Sequence, residues 1–258
     1  MSEFGEHANI SGASEEITAP IDTPALQEKL RVTSRPYQDE RFAEIRKSGT
    51  SEGVYLGILG LDGMPQTEAN LPDEVTLPYQ LSDKLLEVRA ASLAAGREQS
   101  QIIRWNGQGD FQFGRIRTGS AEGVRDLSRP LRTSRFASER PIVDFHTHIP
   151  DPTIYSYTDL RNLLKAQKPP YMTMIGTPRG GLALLGTAQF QPRKPLEAFD
   201  FTDELKRNGY SPYNLPKSAA LLRRAGLGAY EWKPETRGDP ADAGITLRKI
   251  DFSRYSKL

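Results

Sequence analysis

Asp144-Phe-His146-Thr-His148-Ile-Pro-Asp-Pro-Thr-Ile-Tyr-Ser156-Tyr-Thr-Asp159 is the stretch on which the fold and chemistry of this chain turn. The apolar run before it predicts a strand over Ile142–His148, and the side-chain period of two then sets His146 and His148 on one face. The chain has 3 histidines, and these are two of them; the other is His7. Two imidazoles side by side are a natural start for a zinc site. A proline-rich loop follows, Ser156 stands where a helix N-cap is expected, and Asp159 falls in the first turn. Ser-x-x-Asp is an ordinary helix start, with the acid favoured by the helix dipole. The same aspartate could swing back as a third ligand, leaving a fourth position open for water.

Working outward, Gln101–Trp105, Phe111–Ile116 and Pro141–Phe145 read as strands. Residues 106–110, Asn-Gly-Gln-Gly-Asp, form a hairpin turn between the first two, and the Arg- and Ser-rich residues 121–140 form a surface loop. Upstream, Leu81, Leu85, Val88, Ala91 and Ala95 recur at helical spacing, with Ser82 as N-cap and Gly96 as stop. Downstream come a helix over 157–167, strands Tyr171–Ile175 and Gly181–Thr187, a helix near Lys217–Ala225, strand-like Gly228–Trp232 and a last apolar piece, Ile245–Ile250. That order predicts a mixed α/β (α+β) domain over 78–250, a central mixed sheet flanked by helices, with 251–258 as a tail.

Residues 29–77 read as an N-terminal extension. A charged helical stretch over 25–48, interrupted by Pro36, runs into it from the leader, followed by a strand or hairpin arm over Gly53–Gly63 and a linker over Met64–Pro78 that leads into the domain. Residues 1–28 carry Glu3, Glu6, Glu15, Glu16, Asp22 and Glu28 with no Lys or Arg, which predicts a disordered acidic leader.

Composition narrows the function. The chain has 258 residues, with Lys+Arg 34 against Asp+Glu 33, so bulk charge argues for no nucleic-acid or anionic-membrane partner. The scattered arginines Arg115, Arg117, Arg125, Arg129, Arg132, Arg135 and Arg140 read as a solvated surface, with a groove for an acidic substrate segment as the sharper alternative. A count of Cys 0 excludes disulfides, thiolate zinc sites and a cysteine nucleophile. No apolar run reaches the ~20 residues of a membrane span. The N-terminal residues show no basic region followed by an apolar core, so no cleaved Sec signal is expected.

His146-x-His148-x(7)-Ser156-x-x-Asp159 resembles the signature of the JAB1/MPN/Mov34 metalloenzyme (JAMM) family of zinc peptidases and isopeptidases, which includes deubiquitinases and bacterial relatives. The resemblance covers about 78–190. It implies an MPN-like, cytidine-deaminase-like core in which Zn²⁺ is held by His146, His148 and Asp159. It further implies Glu98, between the helix and the first core strand, as general base, and Ser156 as a donor to the oxyanion. Where the family has proline after the second histidine, Ile149 precedes Pro150 here, and Glu98 is followed by Gln-Ser-Gln rather than a Gly-rich stretch. The implied partner is a protein or peptide, a ubiquitin-like protein among the candidates. The acidic leader and unmatched N-terminal third favour an effector or toxin secreted without a Sec signal and delivered into a target cell, over a cytoplasmic housekeeping enzyme.

Asp144-Phe-His-Thr-His also resembles the first strand of amidohydrolase and PHP-type barrels. Such a barrel needs ~200 residues or more after that strand, and histidine ligands beyond it. This chain has neither. The remaining rival is an MPN-like scaffold that binds a partner without catalysis, and it is distinguished by whether the site takes up metal.

Overall fold

The computed structural model describes residues 49–120, 140–149, 154–234 and 244–255. The acidic leader, the helical stretch over 25–48, most of the Arg-rich loop and the prolines at 150 and 152 lie outside the described residues. The described strands form one mixed sheet in the order β1-β9-β8-β7-β6-β5-β2-β3, with β4 paired to β2. These are β1 (Glu74–Thr76), β2 (Gln99–Trp105), β3 (Phe111–Phe113), β4 (Arg117–Thr118), β5 (Val143–Thr147), β6 (Met172–Thr177), β7 (Gly180–Gly186), β8 (Leu227–Pro234) and β9 (Ile245–Lys249). Only the β5–β6 pair is parallel among them. Two parallel neighbours need a crossover, and helix α3 (Tyr157–Lys165) supplies it.

Helices cover both faces. Helices α1 (Ser51–Leu59) and α2 (Tyr79–Ala95) pack on one, through Val54, Tyr55, Leu81, Leu85 and Val88. Helices α3, α4 (Pro195–Arg207) and α5 (Leu215–Arg223) pack on the other, through Leu160, Leu164, Phe201, Leu205 and Leu222. Strand β7 shows the alternation cleanly: Ala183 and Leu185 join the first core, Leu182 and Leu184 the second. Each such leucine contributes about 1.5–3 kcal/mol by leaving water. The expected mixed α/β architecture, a mixed sheet between helices, is thus present. Among the described residues no helix is long and apolar enough to cross a membrane.

Several local expectations need correction. Gly53–Gly63 is not a strand arm: Ser51–Leu59 is a helix, capped by Thr50, whose hydroxyl accepts from the Gly53 amide, and closed by Gly60 at φ 71. Its apolar run is continuous because the helix is largely buried; the Tyr55 hydroxyl donates to the Gly186 carbonyl at 2.7 Å and its ring stacks on Tyr171. Nor is 64–78 a simple linker, since β1 pairs with β9, Val75 opposite Leu247. The packed core therefore begins before residue 78.

Helix α2 starts at Tyr79 rather than after Ser82. Ser82 sits buried in the first turn, its hydroxyl bonding the Leu77 carbonyl and accepting the Ile245 amide, while Ala91 and Ala95 are exposed. The buried stripe is Leu81, Leu85, Val88 and Ser92, and Gly96 ends the helix in the left-handed region at φ 60. The run 111–116 breaks after Phe113. Helix α4 was not anticipated, although Pro195 at its start and the buried Ala198, Phe201, Thr202 and Leu205 carry a helical period.

Candidate metal centre

Strand β5 is buried along its whole length between β2 and β6. Val143 and Phe145 enter the α2-side core, and Thr147 bonds Ser92 of α2. Asp144 and His146 therefore face the α3 side, where the His146 ring meets Tyr155 edge-on at 6.0 Å. His148 continues the same parity, its amide donating to the Gly176 carbonyl at 2.9 Å. The period-two reading of His146 and His148 is what the strand displays. The peptide between them is anchored from the other face: the Gln99 amide donates to Thr147 Oγ1 at 2.8 Å, and Ser92 Oγ also reaches the Arg97 carbonyl.

Helix α3 begins as its sequence dictates. Ser156 is the N-cap, and its Oγ accepts from the Asp159 amide at 3.1 Å. Asp159 Oδ2 in turn accepts from the Ser156 amide at 2.9 Å and from the Ser156 hydroxyl at 2.6 Å. This reciprocal capping box is the ordinary reading of Ser-x-x-Asp. It does not exclude the other, because the same Oδ2 lies 3.7 Å from His146 Nε2 and 3.6 Å from His148 Nε2. The two Nε2 atoms are 3.1 Å apart.

These three separations test whether the group fits an ion. Zinc bonds of about 2.0–2.1 Å in a tetrahedron give ligand-to-ligand edges of about 3.3–3.4 Å. An octahedral ion at about the same bond length brings adjacent ligands to about 3.0 Å. The edges of 3.1, 3.6 and 3.7 Å straddle the tetrahedral value and average above the octahedral one. Two imidazoles and one carboxylate also suit zinc better than magnesium or calcium, which take oxygen. The side chains are 3% exposed at His146, 12% at His148 and 14% at Asp159, so the group is sunk in the surface with one side accessible. His146, His148 and Asp159 together could hold a metal ion.

The electrostatics are those of a preassembled acid–imidazole cluster. Burial works against an imidazolium at His146, but the Asp159 carboxylate, with Asp144 and Glu98 behind it, outweighs burial and raises its pKa. Burial likewise opposes charge on Asp159, and His146, His148 and Ser156 overcome it, holding the carboxyl well below the usual range. Asp144 goes the other way: burial pushes it up to about 6, His146 only partly offsets this, and Asp159 adds to it. Among the described residues, Asp144 Oδ1 and His146 Nδ1 are buried without a hydrogen-bond partner.

The structure brings His146, His148, Ser156 and Asp159 together. Glu98 is buried at the head of β2, which runs antiparallel to β5 with Ser100 opposite His146. Carried two residues further, that register puts Glu98 on the histidine face, and its charge is felt at His146. It is not one of the close donor group. Sequence reasoning gave no role to Asp144, although the same alternation that pairs the histidines predicts its place. It also gave none to Thr147, for which no local signal exists, or to Tyr155, whose position depends on the crossover.

Comparison with models of protein families, with curated proteins and with solved structures finds no match for this chain.

Proposed function

We propose that this chain is a zinc-dependent hydrolase of the JAMM type, cleaving a peptide or isopeptide bond in a protein substrate. The observation that carries the reading is the His146–His148–Asp159 group, whose three edges suit a tetrahedral ion. A mixed sheet between helices, and an acid at the start of the strand beside the histidines, support the family assignment. A ubiquitin-like protein is one candidate substrate, and an effector or toxin role one candidate setting.

His146 Nε2, His148 Nε2 and Asp159 Oδ2 would hold the ion. Zinc bound there supplies Lewis acidity and a water of lowered pKa. Glu98, buried on the same face, takes the proton of the attacking water on its carboxylate and delivers it to the leaving amine nitrogen. Ser156 first of all positions Asp159, since its hydroxyl proton points at Oδ2. Donation to the substrate carbonyl oxygen requires that hydroxyl to turn away from Asp159. Thr147 holds the peptide between the two histidines.

The test is metal stoichiometry by plasma mass spectrometry beside His148→Ala, followed by a screen of ubiquitin-type and peptide substrates. One zinc per chain, absent from the variant, and turnover abolished in a zinc-retaining Glu98→Gln are expected. A wild type that takes up no zinc on reconstitution defeats the proposal and leaves a partner-binding scaffold. Full activity in Glu98→Gln removes that residue as the base.

A further inference from the structure

A cavity of about 280 Å³ opens beside the metal centre on the outer half of the sheet. Asp144, Ser100, Arg104, Arg115 and Arg117 are among its lining residues, and Ile102, on the same face of β2 as Ser100 and Arg104, is an apolar part of its wall. Strand register explains the arrangement. Ser100 is paired with His146 on one side and with Arg117 on the other, so His146, Ser100 and Arg117 form a row across β5, β2 and β4. Arg104 shares that face further along β2, opposite Gln112. The Gly114 amide donates to the Ile102 carbonyl at 2.8 Å, and a Cβ there would meet that carbonyl oxygen at 2.8 Å, so this close approach requires glycine.

The cavity is thus polarised. Its one acidic lining residue, Asp144, stands on the histidine strand β5, and its three arginines stand on β2, on β4 and just before β4. Guanidinium groups favour carboxylates, which they bind through paired N–H donors, and a short apolar wall accommodates a methylene stem. Strands are spaced about 4.8 Å apart, so Arg117 stands about 10 Å from His146 across two strands. An extended peptide covers that span in about three residues.

We propose that this cavity binds an aspartate or glutamate side chain of the polypeptide substrate, two or three residues from the bond to be cut. The inference rests on the hydrolase reading for its substrate class, but the binding it describes does not depend on turnover.

The experiment measures binding of a fluorescein-labelled octapeptide carrying two adjacent glutamates, and of its glutamine isostere, by anisotropy at low salt. The proteins are the zinc-reconstituted wild type, Arg115→Gln/Arg117→Gln, and His148→Ala, in which no ion is left to capture the carboxylate. The glutamate peptide should bind about five- to tenfold tighter than the isostere to wild type and to His148→Ala, and equally weakly to the arginine variant. Arg115 is exposed and Arg117 half-buried in a two-residue strand, so the double variant is expected to fold; a thermal melt verifies it, and Arg115→Glu alone serves if it does not. Equal binding of the two peptides to wild type overturns the proposal. So does a glutamate preference lost in His148→Ala but kept in the arginine variant, which would assign the carboxylate to the metal. Preferential binding with no cleavage of any peptide would uphold the cavity and defeat the hydrolase reading instead.

Discussion

Asp159 gives one oxygen to two tasks, capping α3 and facing two imidazoles, and substitutions can separate them. In Asp159→Asn the side chain keeps an oxygen for the Ser156 amide, so the cap survives while the charge is lost. In Ser156→Ala the cap is lost, at about 1 kcal/mol, and the carboxylate stays. For a domain of this size about 1 kcal/mol lowers Tm by about 2–4 °C. Wild-type protein in zinc at about a hundredfold over Kd gains about 2.7 kcal/mol, or about 5–11 °C in Tm. Removing an anionic ligand should weaken binding by at least the ~100-fold that outer-sphere changes can cause. At the same zinc concentration the gain then drops to about 0.4 kcal/mol, a shift of about 1–2 °C. Differential scanning fluorimetry, with and without zinc, reads all three proteins. Asp159→Asn should melt below wild type without zinc, having lost the charge that faces His146, and barely respond to it, whereas Ser156→Ala should melt lower and respond in full. A full zinc shift in Asp159→Asn would refute the assignment of Asp159 as a ligand.

The cluster also fixes the sign of the pH dependence. Asp159 is held below its unfolded value, so its contribution is present above about pH 4 and is lost as pH falls through the folded pKa. His146 is raised, so its contribution is complete below about pH 6.5 and is lost as pH rises through the folded pKa. The ion-free protein should accordingly gain most from this cluster between about pH 4 and 6.5, whereas the zinc-induced Tm shift should grow as pH rises and His146 gives up its proton; parallel pH trends in the two melts would contradict this. Asp144→Asn removes a carboxyl that burial raises to about 6, so it should stabilise the ion-free protein above pH 6 by up to about 3 kcal/mol and do little at pH 4, as read by urea titration. Thr147→Val strands the Gln99 amide, which should lower stability by about 1–3 kcal/mol and zinc affinity by about 10–100-fold, while Thr147→Ser, which keeps the oxygen, should restore both in a chelator-competition titration.

How much of this was legible in the chain follows from the range of each interaction. His146 and His148 share a face because strand geometry is local, and Ser156 and Asp159 form a capping box because helix starts are local. Both could be read directly. Helix α1 could not, because a short run that is largely buried loses the periodicity that separates strand from helix; the informative signals were Thr50 and Gly60 at its ends, not Val54–Leu59. Strand β1 reads as linker in the sequence because its partner, β9, lies about 170 residues on, and a three-residue edge strand has no pattern of its own. Thr147 illustrates the limit in the site itself. A threonine between two histidines looks neutral until α2 is placed behind it, since its partners Ser92 and Gln99 come from elements that only the fold brings near.

The β5–α3 crossover has a consequence for the order in which the molecule is made. All three donor side chains lie between His146 and Asp159, a single strand, loop and first helical turn, whereas the sheet is closed at its edge only when Ile245–Lys249 reaches Glu74–Thr76. During synthesis the donors leave the ribosome long before β9 exists. Should an ion bind there, a nascent chain would hold every donor it needs before the last strand is made, and an ion captured at that stage would staple the crossover around which the later strands assemble.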